Sequence, residues 1–281
     1  MFKKLLIAEV ILFFVVAVVF GGFVLKNKSE INHYQSLPAL EDIEGITWYD
    51  KNKIIAHGGE GIDGLDYTNS KEAVENTLNN GINIIEIDFE ISSDGELICY
   101  HEISDVFFPV QNSYSLQEFK EQKIQGEYTP LSGSDIFEYM RKNPDLYIVV
   151  DTKHEDYLEV IKKIADEANG DLLSRFIIQC YNPGDKEKVS NIYNFPDENY
   201  LFTAYKYSDD YNKLLKVCMD EKIRVLVVPV LPQLYDETVM ELFTSKNIKV
   251  YFHTVNRPDV ANFLISKGAH GIYTDFIYDL N

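Results

Sequence analysis

From residue 53 to residue 275, short apolar runs of β type alternate with segments of helical period, and this restricts the fold more than any other feature of the chain. The β-type runs fall at 54–58, 84–90, 96–101, 146–152, 176–181, 200–205, 224–230, 249–255 and 271–275. Helical patterns fit between most of them, at 69–80, 134–143, 155–168, 185–193, 209–221, 236–246 and 258–267. Strands and helices in this order build βαβ units on a parallel sheet. Roughly 230 residues with so many units suit a closed (β/α)8 TIM barrel better than an open sheet. Nine runs compete for eight strand positions. Ser92-Ser93-Asp94-Gly95 is a hairpin signal with no room for a helix, so the run after it breaks the alternation, and the run at 271–275 reads as a short closing piece. The connection from Ile103 to Ser132 has no strong pattern and carries Phe107, Phe108 and Pro109, which suggests a lid or part of a substrate rim.

The N-terminus follows a different rule. After Lys3 and Lys4, residues 5–25 are apolar except for Glu9. A helix of that length spans roughly 30 Å, the thickness of a bilayer core. No small-residue cleavage site follows, so the expectation is a single uncleaved transmembrane helix. The expected organisation is a membrane anchor at 1–27, a stalk or barrel-bottom cap at 28–52, and a barrel domain at 53–281 held on the outer side of the cell membrane. Lysines flank both ends of the apolar run, so loop charge barely orients it. The formal net charge of −19 leaves no clustered basic surface and argues against nucleic acid as a partner. Cys99, Cys180 and Cys218 lack metal-site spacing, and two of them lie inside strand runs, where buried thiols are expected.

Polar residues at the strand ends carry the chemistry. His57, Glu86, Asp88, His101 and Asp151 each close an apolar run, at the strand ends where barrel sites are built. Glu86 and Asp88 are two apart and share a face. Facing inward they would repel unless a cation or hydrogen-bond donors satisfied them. The other face would send Ile85, Ile87 and Phe89 inward, and parity alone leaves both open because Ile84 shares the carboxylates' side. Asp151 and Lys153 repeat the two-residue spacing, as an acid and a cation, although a surface ion pair would look the same. Three carboxylates beside two imidazoles would suit a hard divalent cation with an acid–base pair.

The ordered set is more specific than its parts. His57-Gly58-Gly59, Thr68-Asn69-Ser70, Glu86-x-Asp88, Ser93-Asp94-Gly95, His101-Glu102, Asp151-x-Lys153, Thr254-Val255-Asn256-Arg257-Pro258 and Gly268 to Asp275 together resemble the glycerophosphodiester phosphodiesterase family. The resemblance runs over residues 54–276. It implies His57 and His101 as the acid–base pair, without saying which is base. It implies Glu86, Asp88 and Asp151 as ligands of one divalent cation, calcium or magnesium. It implies Lys153, Gly58, Asn69, His253 and Asn256 on the substrate side.

The pattern also departs from the family. Gly58 stands where an arginine is usual, Thr68 where a carboxylate is usual, Asp151 in place of glutamate, and His253 in place of tryptophan. Loss of the phosphate-facing arginine weakens the link to standard substrates. The implied activity is a membrane-anchored phosphodiesterase acting on a glycerophosphodiester, a lipid or an envelope polymer. The alternatives are a phospholipase-like or cyclising lyase, and a barrel that binds an anionic ligand without turnover.

Overall fold

A computed structural model of the chain describes residues 33–101, 114–152 and 157–280. The chain divides into two compact units, Met1–Ala39 and Leu40–Asn281. In the first, residues 33–36 make one helical turn. The expected transmembrane run at 5–25 lies outside the described residues, and among those residues no helix is long and apolar enough to cross a membrane.

Among its described residues the second unit holds nine strands: β1 (Ile54–Ala56), β2 (Ile84–Ile91), β3 (Leu97–Cys99), β4 (Tyr147–Asp151), β5 (Phe176–Cys180), β6 (Tyr200–Thr203), β7 (Val225–Pro229), β8 (Lys249–His253) and β9 (Gly271–Thr274). Eight are parallel, and pairing of β1 with both β2 and β9 closes them into a barrel. The extra strand is β3, which returns antiparallel on β2 with Phe89 opposite Cys99 and Ile91 opposite Leu97. The Asp94-Gly95 hairpin therefore lies where the sequence puts it. The run at 271–275 is different: it is a full barrel strand rather than a closing piece. Gly271 reads as weak β material because a Cβ there would collide with the Lys53 carbonyl and the Tyr251 ring.

All seven expected helices are present, from Lys71–Asn79 to Pro258–Ser266. Their starts are fixed by local chemistry. Ser70 accepts from the Ala73 amide, Asp236 accepts from the Thr238 amide, and Pro258 opens the last helix with its φ already set. A further helix, Leu116–Glu121, lies in the connection that showed no pattern, and a Ser115–Glu118 capping box starts it. It packs Phe119 with Ile98, Ile124 and Tyr128 into a small hydrophobic cluster of its own. Phe107, Phe108 and Pro109 lie outside the described residues.

Inside the barrel, Ile55, Ile84, Val149, Ile177, Leu201 and Tyr251 meet at the N-terminal end, closed by Trp48 and Tyr49 from the short helix Trp48–Lys51. The buried Trp48 indole donates to the Glu198 carbonyl at 2.8 Å, which meets its one polar need. This layer decides the parity of β2. Ile84 belongs to it, so Glu86 and Asp88 also face inward, one and two steps nearer the C-terminal mouth. Ile85, Ile87 and Phe89 face the helices and are fully buried. Burial on both faces is why these strands read as nearly continuous apolar runs.

Candidate active site

Three carboxylates converge at the C-terminal end of β2 and β4. The parallel register sets Asp88 beside Asp151 and Glu86 beside Val149. One oxygen from each of Glu86, Asp88 and Asp151 lies within 4.8 Å of the others, and all three residues are buried. Each carboxylate is aimed by a neighbour. The Gly58 amide donates to Glu86 Oε2 at 2.6 Å. Asn69 donates through Nδ2 to Asp88 Oδ2 at 2.9 Å and accepts the Asp88 amide on Oδ1 at 3.0 Å. The Thr152 amide and the Tyr181 hydroxyl donate to Asp151 Oδ1 at 2.7 and 2.6 Å. Buried, converging carboxylate oxygens are the donor set of a hard divalent cation, and these residues fit one.

The histidines are anchored in different ways. His57 follows β1 in a tight turn, buried, with Nδ1 at 2.8 Å from Asp275 Oδ1. Asp275 is gripped as Asp88 is: Asn256 donates to its Oδ2 at 2.6 Å and accepts its amide at 2.8 Å. Asn69 and Asn256 thus perform one job twice, each orienting an acid through its side chain and backbone together. Burial pulls the His57 imidazolium down. The Asp275 hydrogen bond and the charges of Glu86, Asp275 and Asp151 outweigh it and leave the His57 pKa above the usual histidine value. His101, also buried, holds Nε2 3.8 Å from Asp88 Oδ1. Tyr67 lies against both imidazoles, with ring centroids 4.5 Å from His57 and 4.9 Å from His101.

These groups open on a cavity of about 240 Å³, lined also by Gln179, Thr203, Tyr205, His253 and Tyr273. Burial, reinforced by nearby carboxylates, pushes the phenols of Tyr67, Tyr205 and Tyr273 up, so they stay neutral donors. His253 turns Nε2 to within 3.2 Å of His57 Nε2. Of the residues singled out from sequence, His57, Glu86, His101, Asp151 and His253 line this cavity, and Asp88 joins the carboxylate cluster. Gly58, Asn69 and Asn256 hold carboxylates in place. Lys153 lies outside the described residues. Sequence reasoning missed Asp275 as a partner of His57, although it ends an apolar run just as Asp151 does. Tyr67, Tyr181 and Tyr205 gave no local signal.

Gly58 is fixed by geometry. Its φ is +56°, and a Cβ would sit 2.9 Å from the Tyr67 Cα. A Gly58→Ala change forces apart the loop that carries Tyr67 and the amide that holds Glu86. Divalent-cation affinity is expected to fall by about 10–100-fold, the usual cost of losing an outer-shell partner, as read by calorimetric titration. An affinity equal to wild type would show that the turn is not needed to hold Glu86.

Glu60, at the end of the same turn, is fully buried, and neither carboxylate oxygen has a hydrogen-bond partner among the described residues. Burial, with the Asp275 charge added, pushes its pKa up from 4.5 to about 9. The folded chain therefore keeps a proton that the unfolded chain releases above pH 4.5. The resulting stability is fully present below that pH, declines as pH rises, and is lost by about pH 9, with a slope of up to about 1.4 kcal/mol per pH unit. Glu60→Gln removes this loss. Its melting temperature is expected to match wild type near pH 4 and to exceed it increasingly toward pH 9. Parallel melting curves for the two proteins across that range would contradict the assignment.

The comparisons with known proteins agree with the geometry. Residues 60–278 match the model of the glycerophosphoryl diester phosphodiesterase family, a span that begins just after His57. No curated protein matches the chain in sequence. A glycerophosphoryl diester phosphodiesterase from Parabacteroides distasonis superposes with TM-score 0.64 at 15% identity, covering 88% of this chain and 89% of its own. One from Thermotoga maritima gives 0.59 at 19%, covering 79% and 94%. An Oleispira antarctica phosphodiesterase, solved with the product sn-glycerol-3-phosphate, gives 0.64 at 14%, covering 81% and 94%. At these identities the structures show a common fold, while the family match spans most of the chain. The chain belongs to the glycerophosphoryl diester phosphodiesterase family, whose members are phosphoric diester hydrolases.

Proposed function

We propose that the chain is a metal-dependent phosphodiesterase cleaving glycerophosphodiester-like substrates, with His57 and His101 as its acid–base pair. The observation that carries this reading is the pairing of two buried, separately anchored imidazoles on one cavity wall with a cluster of three converging carboxylates, two of which line the same cavity. A calcium or magnesium ion held by Glu86, Asp88 and Asp151 would neutralise charge on a non-bridging phosphate oxygen. Asp275 fixes the His57 proton on Nδ1 and leaves Nε2 to exchange protons with the substrate, and it stabilises the imidazolium when that forms. One histidine takes a proton from water or a substrate hydroxyl. The other gives a proton to the departing alkoxide, leaving a phosphate product and an alcohol. Tyr67 and Tyr205 offer neutral hydrogen-bond donors beside them, and Lys153 adds positive charge at the phosphate.

The substrate side follows from the same residues. With Gly58 in place of an arginine, the head group meets tyrosines and His253 rather than a guanidinium. That favours a polar, hydrogen-bonding glycerol end over a second anionic group. Residues 1–27 anchor the enzyme in the cell membrane as a single span, residues 28–52 link it, and residues 53–281 work outside the cytoplasm near envelope substrates. Protease digestion of intact and opened cells tests the anchor: cleavage of the barrel only in opened cells would place it in the cytoplasm.

Phosphorus NMR on a panel of glycerophosphodiesters, lysophospholipids and polyglycerol phosphates tests the chemistry. A phosphomonoester product supports hydrolysis, and a cyclic phosphate product identifies a cyclising lyase instead. Calcium binding without turnover of any diester would identify a binding barrel.

A further inference from the structure

His57 is closed off from solvent, and Asp275 behind it is buried as well. With Nδ1 committed to Asp275, any proton gained or lost by His57 passes through Nε2. Among the described residues, the hydrogen-bonding neighbour of His57 Nε2 is His253 Nε2 at 3.2 Å, with the rings near perpendicular at 88°. His253 lines the cavity beside His57 and offers this pair a route to solvent through the protein. It is partly exposed, and the Tyr205 hydroxyl lies 3.1 Å from its Nδ1 and 3.3 Å from its Nε2, on a side chain that is half exposed. Thr254 Oγ1 lies 3.1 Å from Nε2, and the Tyr273 ring packs against the imidazole. The result is a continuous path of exchangeable protons from Asp275 to the cavity mouth.

We propose that His253 is a proton-relay residue that returns His57 to its starting protonation state after each turnover. The proposal rests on the reading of His57 as half of the acid–base pair. When His57 has acted as base, it carries protons on both nitrogens. The Nε2 proton passes to the lone pair on His253 Nε2, and the Nδ1 proton of His253 leaves to water or a buffer base beside Tyr205. His57 and His253 are then both neutral and one proton has reached solvent. That proton balances the one the partner histidine takes back from solvent after protonating the alkoxide, and the net proton of the reaction leaves from the monoester itself, whose second pKa is about 6. His253 recovers its first tautomer by exchange at its exposed edge. When His57 acts as acid, the same transfers run in reverse. Tryptophan, usual at this position in the family, carries only a donor N–H and cannot relay in this way. The departure at residue 253 is thus the feature that opens the path.

The test uses the full chain loaded with magnesium. In His253→Phe, kcat in dilute buffer is expected to fall about tenfold or more while KM stays within about twofold, and added imidazole restores kcat in proportion to its concentration. His253→Gln keeps a hydrogen bond to His57 but cannot pass a proton, and is expected to behave in the same way. Without substrate, solvent exchange of the His57 ring protons, followed by nitrogen-15 NMR, is expected to slow by a similar factor in both variants. Wild-type kcat in His253→Gln, a loss that imidazole does not relieve, or unchanged His57 exchange would each overturn the relay. A wild-type chain that cleaves no phosphodiester, with His57 exchange still slowed in the variants, would overturn the catalytic reading and support the relay.

Discussion

Replacing His57 or His101 by alanine is expected to lower kcat by about 10²–10⁴-fold, the range over which a positioned acid or base contributes. Calorimetric titration should show cation affinity largely retained, because the hydrogen bonds that orient Glu86, Asp88 and Asp151 come from Gly58, Asn69, Thr152 and Tyr181. The two variants separate further through their anchors. Asp275→Asn should reproduce most of the His57 loss, because an amide in that place no longer fixes the Nδ1 proton or stabilises the imidazolium. It should have no comparable effect through His101, whose Nε2 lies 3.8 Å from Asp88 Oδ1 rather than against Asp275. Full turnover in His101→Ala would remove that residue from the scheme, and full turnover in Asp275→Asn would detach Asp275 from His57 function.

The second large effect concerns the carboxylates, where function and stability pull in opposite directions. Three acids packed within 4.8 Å repel one another when no cation lies among them. Asp88→Asn or Glu86→Gln should therefore raise the melting temperature of the chelated protein while removing most of its activity. Wild type should gain stability on adding calcium or magnesium, by about 2.7 kcal/mol at a concentration 100 times the dissociation constant. The variants should gain little. A wild-type melting temperature that does not respond to either ion, or variants that respond as wild type does, would show that the cluster is not a cation site.

Much of the barrel was legible because β and helical periods differ, and because Asp94-Gly95 marks the hairpin between β2 and β3. The helix Leu116–Glu121 was missed because six residues give too little periodicity, although its Ser115–Glu118 cap was in plain view. The face of β2 stayed open because Ile84 has the same parity as the acids, and only barrel closure over Trp48 shows that Ile84 belongs to the interior. The strand-end acids and imidazoles stood out because charge is costly in an apolar run. Asn69 and Asn256 were located, but their bonding to Asp88 and Asp275 depends on tertiary contacts across 19 residues in each case. The tyrosines left no trace, since a tyrosine at a cavity wall and one in a core read alike.

The most direct test of the central claim is a phosphorus NMR time course on glycerophosphoglycerol with chain stripped of metal by a chelator and then given back magnesium or calcium. The account predicts no product from the stripped chain, phosphomonoester on restoring the ion, and none with the ion restored to Glu86→Gln. Undiminished cleavage by the stripped chain, or by Glu86→Gln, would contradict it.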